Sequence, residues 1–313
     1  MAVPNNTLET YSAIGNAEDV SDIIYLISPT ETPFMSNIES VDARARLHQW
    51  QTDSLAAAAT NVEPEGDDPD TNAATVTVML SNSCQISDKV PRVSGTQEAV
   101  AKYGRKSEMN YQLAKMSREL KRDMEFDLLA NNAEVTGSSG TARELGGIEA
   151  WITSDDRGTS GSDGGTGDTA ATDGTQRAFT EASLKNVLQE CFDSGGDPDT
   201  IMLGSFNKQA FSGFTGNATR YKDADDERLV AGIDVYASDF GVMRVVANRF
   251  MRSRSCLILQ MDMWAIAYLR PFTVHDLAKT GDSIQKQILV EYTLEARNQA
   301  SSGIVADLTT AVS

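Results

Sequence analysis

Histidine is nearly absent from this chain of 313 residues: His48 and His275 are the only two, far apart, with no HExxH spacing and no paired glutamate. The commonest general base and zinc ligand is therefore scarce, and each histidine is expected to be structural. Cysteine is almost as rare. Cys84, Cys191 and Cys256 are an odd number without a CxxC pair or a neighbouring histidine, which reads as reduced, packed thiols. A GxSxG elbow, a Walker loop, a GxGxxG after a strand and a Cys-His framework are all missing. No apolar stretch approaches 18 residues, and MAVPNNTLETYSAIG has no basic start followed by an apolar run. Neither a membrane span nor a leader is expected, and the chain is expected to be made and kept in cytosol. Without secretion, the formal sequons at Asn5 and Asn217 carry no meaning.

Positive charge is the other shortage. Lys and Arg number 27 against 45 Asp and Glu, a net charge of −18 that argues against wrapping nucleic acid, where affinity comes from cations on phosphates. The imbalance is steepest in residues 1–43, which hold Glu9, Glu18, Asp19, Asp22, Glu31, Glu39 and Asp42 and no Lys or Arg. Such a segment is repelled by DNA and by anionic membranes. In so acidic a chain, neighbouring carboxylates such as Asp155 with Asp156, or Asp225 with Asp226, say little about glycosidase chemistry. The chain is expected not to be an enzyme, with no catalytic, cofactor-binding or metal-binding residue to assign.

What the sequence does contain is a long helical pattern from Ser107 to Asn131. Met109, Leu113, Met116, Leu120, Met124 and Leu128 recur every three or four residues and fall on one face. Neither Pro nor Gly interrupts the run, Ser107 suits an N-cap, and about 25 residues give a rod of roughly 37 Å. Lys115, Arg118, Glu119, Lys121, Arg122, Asp123, Glu125 and Asp127 occupy the other faces, which are expected to meet solvent or another subunit.

Around this rod the chain divides by composition. Residues 1–43 read as an arm with a short apolar helix near Val20–Ile27, then SPTETPFMSNI, where Pro29 and Pro33 predict extended or turned backbone. Its Ile23, Ile24, Leu26, Phe34, Met35 and Ile38 need a surface, either this chain's long helix or a neighbouring subunit. LHQWQTD and ATVTVMLSNSCQI predict a long two-stranded hairpin whose tip, NVEPEGDDPDTN, lacks the apolar residues to pack it onto a core and is expected to project and be mobile unless a partner holds it. Glu63, Glu65, Asp67, Asp68 and Asp70 at that tip are hard oxygen ligands, but their order departs from the EF-hand loop pattern; a solvated tip is the plainer reading. A short helix is expected near Gln97–Tyr103.

Beyond the long helix, LGGIEAWIT leads into SDDRGTSGSDGGTGDTAATDGT, a composition expected not to order itself and to form a surface insertion. Its Gly164, Gly165, Gly167 and Asp168 resemble a single copy of a calcium-binding repeat with the Asp misplaced, and no Lys-Ser or Lys-Thr follows to make a phosphate loop. Thr180 is a predicted helix cap, with Leu184, Val187, Leu188, Cys191 and Phe192 as the apolar face. TIMLG predicts a buried strand and Ser205 starts a second short helix. Residues 215–228 read as a polar loop, and two strands follow about a turn at Ser238–Gly241. CLILQMDMWAIAYL suits a sheet interior, IQKQILVEYTLEARN places Ile284, Ile288, Val290, Tyr292 and Leu294 on one face, and SSGIVADLTT predicts a last short strand. Helices covering an antiparallel sheet give an α+β fold.

The order of these landmarks resembles the major capsid proteins of tailed bacteriophages with the Hong Kong 97-type fold. LISPTETPFMSNI, YGRKSEMNYQLAKMSRELKRDMEFDLL and EYTLEARNQASSGIVADL are similar to the SU10-like major head protein group. The resemblance implies an N-terminal arm at 1–45, an extended β-hairpin loop at 46–95, and a peripheral domain at 96–153 and 250–313 around the spine helix 107–131. It implies an axial α/β domain at 178–249, with 154–177 as an insertion. It also implies a structural virion protein, made in the host bacterial cytoplasm, that self-assembles as hexamers and pentamers into an icosahedral head enclosing double-stranded DNA. Scaffolding, portal and cement proteins are the further partners it suggests, with the hairpin tip on a neighbouring subunit and the arm along a neighbour's long helix. Some relatives cross-link a loop lysine to an asparagine; here the loop holds only Lys89, near its base, so no cross-link is expected. The alternative from another class is a calcium-dependent surface or adhesion module, suggested by the acidic tip and the Gly-Asp run.

Overall fold

The structure, a computed structural model, describes residues 30–63, 65–66, 74, 76–214 and 234–311. It opens with helix α1 (Pro33–Asn37), so Pro33 does not extend the backbone as expected. It sits at the start of a helix, where its missing N–H has no intrahelical acceptor to lose and its fixed φ suits the turn. Pro29 and the helix expected near Val20–Ile27 lie outside the described residues. Strand β1 (Glu39–Asp42) follows, then the ribbon of β2 (Leu47–Thr52) and β3 (Val78–Ser83), paired antiparallel from Leu47↔Ser83 to Thr52↔Val78.

The second strand of the expected hairpin divides at Cys84. The Asn82 amide, fully buried, donates to the carbonyls of Gly146 and Leu294, and the Cys84 N–H donates to Arg46 O, so the chain is pinned there and turns into another sheet. It continues as β4 (Gln85–Lys89) and β5 (Arg92–Ser94). Helix α2 (Gly95–Ala99) starts earlier than Gln97 because Ser94 Oγ accepts from Gln97 N and caps it. Helix α3 (Glu108–Leu128) begins after Ser107, whose Oγ accepts from Asn110 N, and stops three residues short of Asn131.

Two sheets carry the rest. Strand β6 (Ser154–Asp156), helix α4 (Glu181–Asp193), β7 (Thr200–Leu203), helix α5 (Ser205–Ser212), β8 (Val235–Ser238) and β9 (Gly241–Ala247) are followed by β10 (Cys256–Leu259), β11 (Trp264–Asp276), β12 (Ser283–Ala296) and β13 (Gly303–Val305). The six-stranded sheet runs β6-β13-β10-β7-β9-β8. The five-stranded sheet runs β1-β11-β12-β4, with β5 also on β12. The stretch CLILQMDMWAIAYL thus belongs to both sheets, broken at Gln260–Met263, where Trp264 Nε1 donates to Ser302 Oγ and the chain crosses over.

Leu120, Met124 and Leu128 of α3 share one core with Ile288, Val290, Tyr292 and Leu294 of β12, each fully buried large side chain contributing about 2 kcal/mol. Ile284, expected on that face, pairs with Val93 of β5 and is 40% exposed. Leu184, Val187, Leu188 and Cys191 of α4 form the second core against the six-stranded sheet. Gly303 has to be glycine there, since a Cβ would sit 2.2 Å from Val187 Cγ1. Phe192 departs from the expected apolar face and packs outside against Phe240, ring centroids 4.8 Å apart.

The run 154–177 is the largest departure from expectation, because it is ordered and partly interior. Strand β6 pairs in parallel with β13, and Arg177 bridges to Leu308. Its glycines make this possible by letting the backbone approach where a side chain would collide. Gly167, at φ +80°, lies flat on the buried Trp151, and a Cβ there would be 2.2 Å from the ring. Composition predicts disorder when a segment has nothing to bury, whereas this one is bound through backbone and charge.

Candidate functional site

The residues that could carry catalysis are dispersed. His48 Nε2 lies 2.8 Å from Glu295 Oε2, and the histidine hydrogen bond holds the Glu295 carboxyl below its usual range. His275 is exposed on β11 opposite Gln287, about 26 Å along the sheet from that pair. All three cysteines are buried and unbridged. Burial pushes the Cys84 thiol up to about 11 and Cys191 to about 12, and raises Cys256 further, which disfavours the thiolate at all three. Asp155 and Asp156 pair with Arg157 and Arg177, whereas Asp225 and Asp226 lie outside the described residues. The grooves are shallow and open, one lined by Arg46, Thr136, Ser138 and Arg143, another by Asp88, Lys89, Asp123 and Phe126.

Glu63 and Glu65 at the hairpin tip are exposed, and Asp67, Asp68 and Asp70 fall outside the description. Among the described residues no three His, Cys, Asp or Glu are grouped to hold a metal, and Asp168 is occupied by the Thr166 hydroxyl at 2.7 Å.

Buried charges fasten segments rather than form a site. Glu125, on α3, accepts from Phe34 N and Met35 N at 2.8 Å each and from Asn248 Nδ2 at 2.7 Å, joining α1, α3 and the end of β9. Burial raises its carboxyl above the usual range, against those three hydrogen bonds. Arg252 bridges buried Glu149 to Asp173, and Arg254 bridges Asp173 to Asp307, whose Oδ2 accepts from Gly158 N; this lattice ties 154–177 to the body. Glu291 holds Arg143 and Arg270 at the bulge in β11. Sequence spacing gave no warning of these nodes, because the partners stand 90 or more residues apart in most cases.

The surface carries the functional signal. Every described residue from Asp53 to Met79 is exposed, including Leu55 at 98%, Val76 at 87% and Val62 at 78%. The ribbon is anchored at its base, where Trp50 Nε1 donates to Ala296 O and its ring packs on Trp151, and then leaves the body. Large apolar side chains on an exposed ribbon expect a surface that the described residues do not supply.

Comparison with known proteins fits that geometry. The chain is similar to the major capsid protein of Escherichia phage Phieco32, 26% identical over 335 aligned positions covering 95% of each chain. Its fold matches the capsid of the native GTA particle, with a TM-score of 0.64 at 11% identity over 97% of this chain and all of that one. It also matches the mature capsid of bacteriophage PhiM1, TM-score 0.64 at 8% identity over 98% of each. The fold is thus α+β of the Hong Kong 97 type. No helix among the described residues is long and apolar enough to cross a membrane. With a family model for the SU10 major capsid protein matched from residue 4 to residue 309, the chain belongs to that family: it is a tailed-phage major capsid protein, a structural component of the virion.

Proposed function

We propose that copies of this chain close an icosahedral shell as hexamers and pentamers around double-stranded DNA, which they enclose without reading its sequence. The carrying observation is that every described residue between Asp53 and Met79 is exposed, and the apolar ones among them remain in water unless a neighbouring copy covers them. In this reading β2 and β3 form the extended loop within 46–95, α3 is the spine, and 96–153 with 250–313 form the peripheral domain. Residues 1–45 act as the arm, and 178–249 as the axial domain facing its copies. The exposed residues of 154–177 offer a resting place for a separate cement protein, while scaffolding and portal proteins act during assembly in the host cytoplasm. Net charge −18 suits a wall that must not grip its DNA.

No covalent cross-link is expected, since Lys89 ends β4 in an ion pair with Asp123 at 2.6 Å. Boiling assembled shells in detergent should return only the single-chain band, and a ladder would refute this. For assembly itself, electron microscopy and sedimentation velocity on the purified chain, with and without its scaffold, should show shells, tubes or hexamers. The triple variant V76S/V78S/M79S should melt as the wild type does yet fail to assemble; assembly unchanged would overturn the role given to the ribbon.

A further inference from the structure

Helix α3 turns one side to the core and another to solvent, and the solvent side carries cations without counter-ions. Among the described residues Arg118, Lys121 and Arg122 join no ion pair, whereas the acids beside them are engaged. Glu119 faces Lys115 at 3.9 Å, Asp123 holds Lys89, and Asp127 accepts from Gln85 Nε2 at 2.8 Å. Lys121 and Arg122 instead rest over the rings of Phe272 and Phe250, 5.8 Å from each centroid. Other described cations such as Arg44, Arg244 and Arg249 also join no ion pair, but these three adjoin on one side of one helix in a chain of net charge −18.

Helical spacing puts these cations in line with Glu125. They lie seven, four and three residues before it, which is one stripe. Glu125 is the side chain that grips Phe34 and Met35, so the N-terminal chain enters the described structure at the end of the basic stripe. The sequence that precedes Thr30 holds Glu9, Glu18, Asp19 and Asp22 and no Lys or Arg, and closes with Ile23, Ile24, Leu26 and Ile27. Half-open aromatics, Phe126, Phe250 and Phe272, border the cations and offer apolar surface. Reach is ample: Arg118 is about 10 Å along the helix from Glu125, and the chain from Phe34 to Asp22 spans up to about 40 Å when extended. A tether this short gives an effective concentration on the order of millimolar, so the chain's own helix outcompetes a dilute neighbour's.

We propose that the acidic and apolar stretch Glu18–Ile27 docks along the Arg118–Lys121–Arg122 side of α3 in its own chain. The arm is thereby stored on the helix that already holds its root, and has to leave before it can reach another copy. The proposal concerns one chain and stands whether or not shells form.

A disulfide trap tests it. Ala17→Cys beside the acids and Ala114→Cys, exposed one turn before Arg118, change no charge, and the three native thiols are buried. The oxidised full-length chain should migrate on a denaturing gel as a compact single-chain band. Its yield should fall about tenfold in about 0.5 M salt, and similarly on an R118E/K121E/R122E background. The salt series keeps the test valid if that background misfolds. Covalent dimers in place of the compact band would assign the stripe to a neighbour's arm and overturn the proposal. So would no disulfide, or a yield indifferent to both salt and charge reversal.

Discussion

Replacing Glu125 by alanine tests whether one buried carboxylate holds α1 to the body. The substitution removes the carboxylate acceptor of three donors: Phe34 N and Met35 N, formerly at 2.8 Å, and Asn248 Nδ2, formerly at 2.7 Å and left with only the weak acceptor Met202 Sδ at 3.2 Å. Orphaning a buried donor costs about 1.5 kcal/mol, or about 4.5 kcal/mol for the three, of which about 1.5 kcal/mol is recovered because a costly buried charge is gone. The net loss expected is about 3 kcal/mol. At a urea slope of about 3 kcal/mol per molar, the unfolding midpoint should fall by about 1 M, read by tryptophan fluorescence and circular dichroism. Glu125→Gln keeps one acceptor but turns an amide N–H toward the arm, and should lose about half as much. A pH series adds a signed readout. The folded carboxyl titrates above the usual 4.5, so the native state binds more protons than the unfolded one just above that value. Stability should therefore fall as pH rises through the folded value in wild type, and this component should be missing in Glu125→Gln. A midpoint for Glu125→Ala within about 0.2 M of wild type would refute the clasp, because three orphaned donors cannot be that cheap.

Glu295 should titrate with the opposite sign. Its folded carboxyl lies below 4.5, chiefly through His48, so its contribution is present above 4.5 and is lost as pH falls through the folded value; Glu295→Gln should flatten the acid limb of a stability profile. Gly167→Ala should destabilise by about 3 kcal/mol, adding a collision with Trp151 to a left-handed backbone. Gly165→Ala, equally left-handed but in open space, should cost about 1 kcal/mol. Proteolysis within 158–176 should accelerate in the first and hardly in the second. Finally, a thiol reagent at neutral pH should label none of Cys84, Cys191 and Cys256 in the native chain and all three in urea; fast native labelling would contradict their burial.

Where local chemistry and burial agree, the sequence was readable. The six apolar positions from Met109 to Leu128, with Ser107 as the cap, announce α3 because a 3.6-residue repeat has one cheap solution in water. Thr180 and the alternation in β12 did the same for α4 and for the face that packs on α3. The exposure of the ribbon's described tip residues, 61–63 and 65–66, was legible from its polar composition. Failures came where a distant group overruled local preference. Composition made 154–177 a loose insertion, yet Arg252, Arg254, Asp307 and the face of Trp151 hold it in place. Composition put CLILQMDMWAIAYL in a sheet interior and made ATVTVMLSNSCQI one strand of a hairpin, yet each is divided between sheets, near the Trp264–Ser302 bond and at Asn82.

By itself the sequence determined the long helix α3, the capped helix α4, the alternating strand β12 and the excess of acid over base, since those follow from residues a few positions apart and from totals. Only the tertiary structure decided which sheet each strand joins, that Glu125 clasps α1, and that three cations on α3 join no ion pair among the described residues. Those depend on groups brought together from across the chain, and a hydrogen bond or ion pair acquires its energy from the partner that folding places beside it.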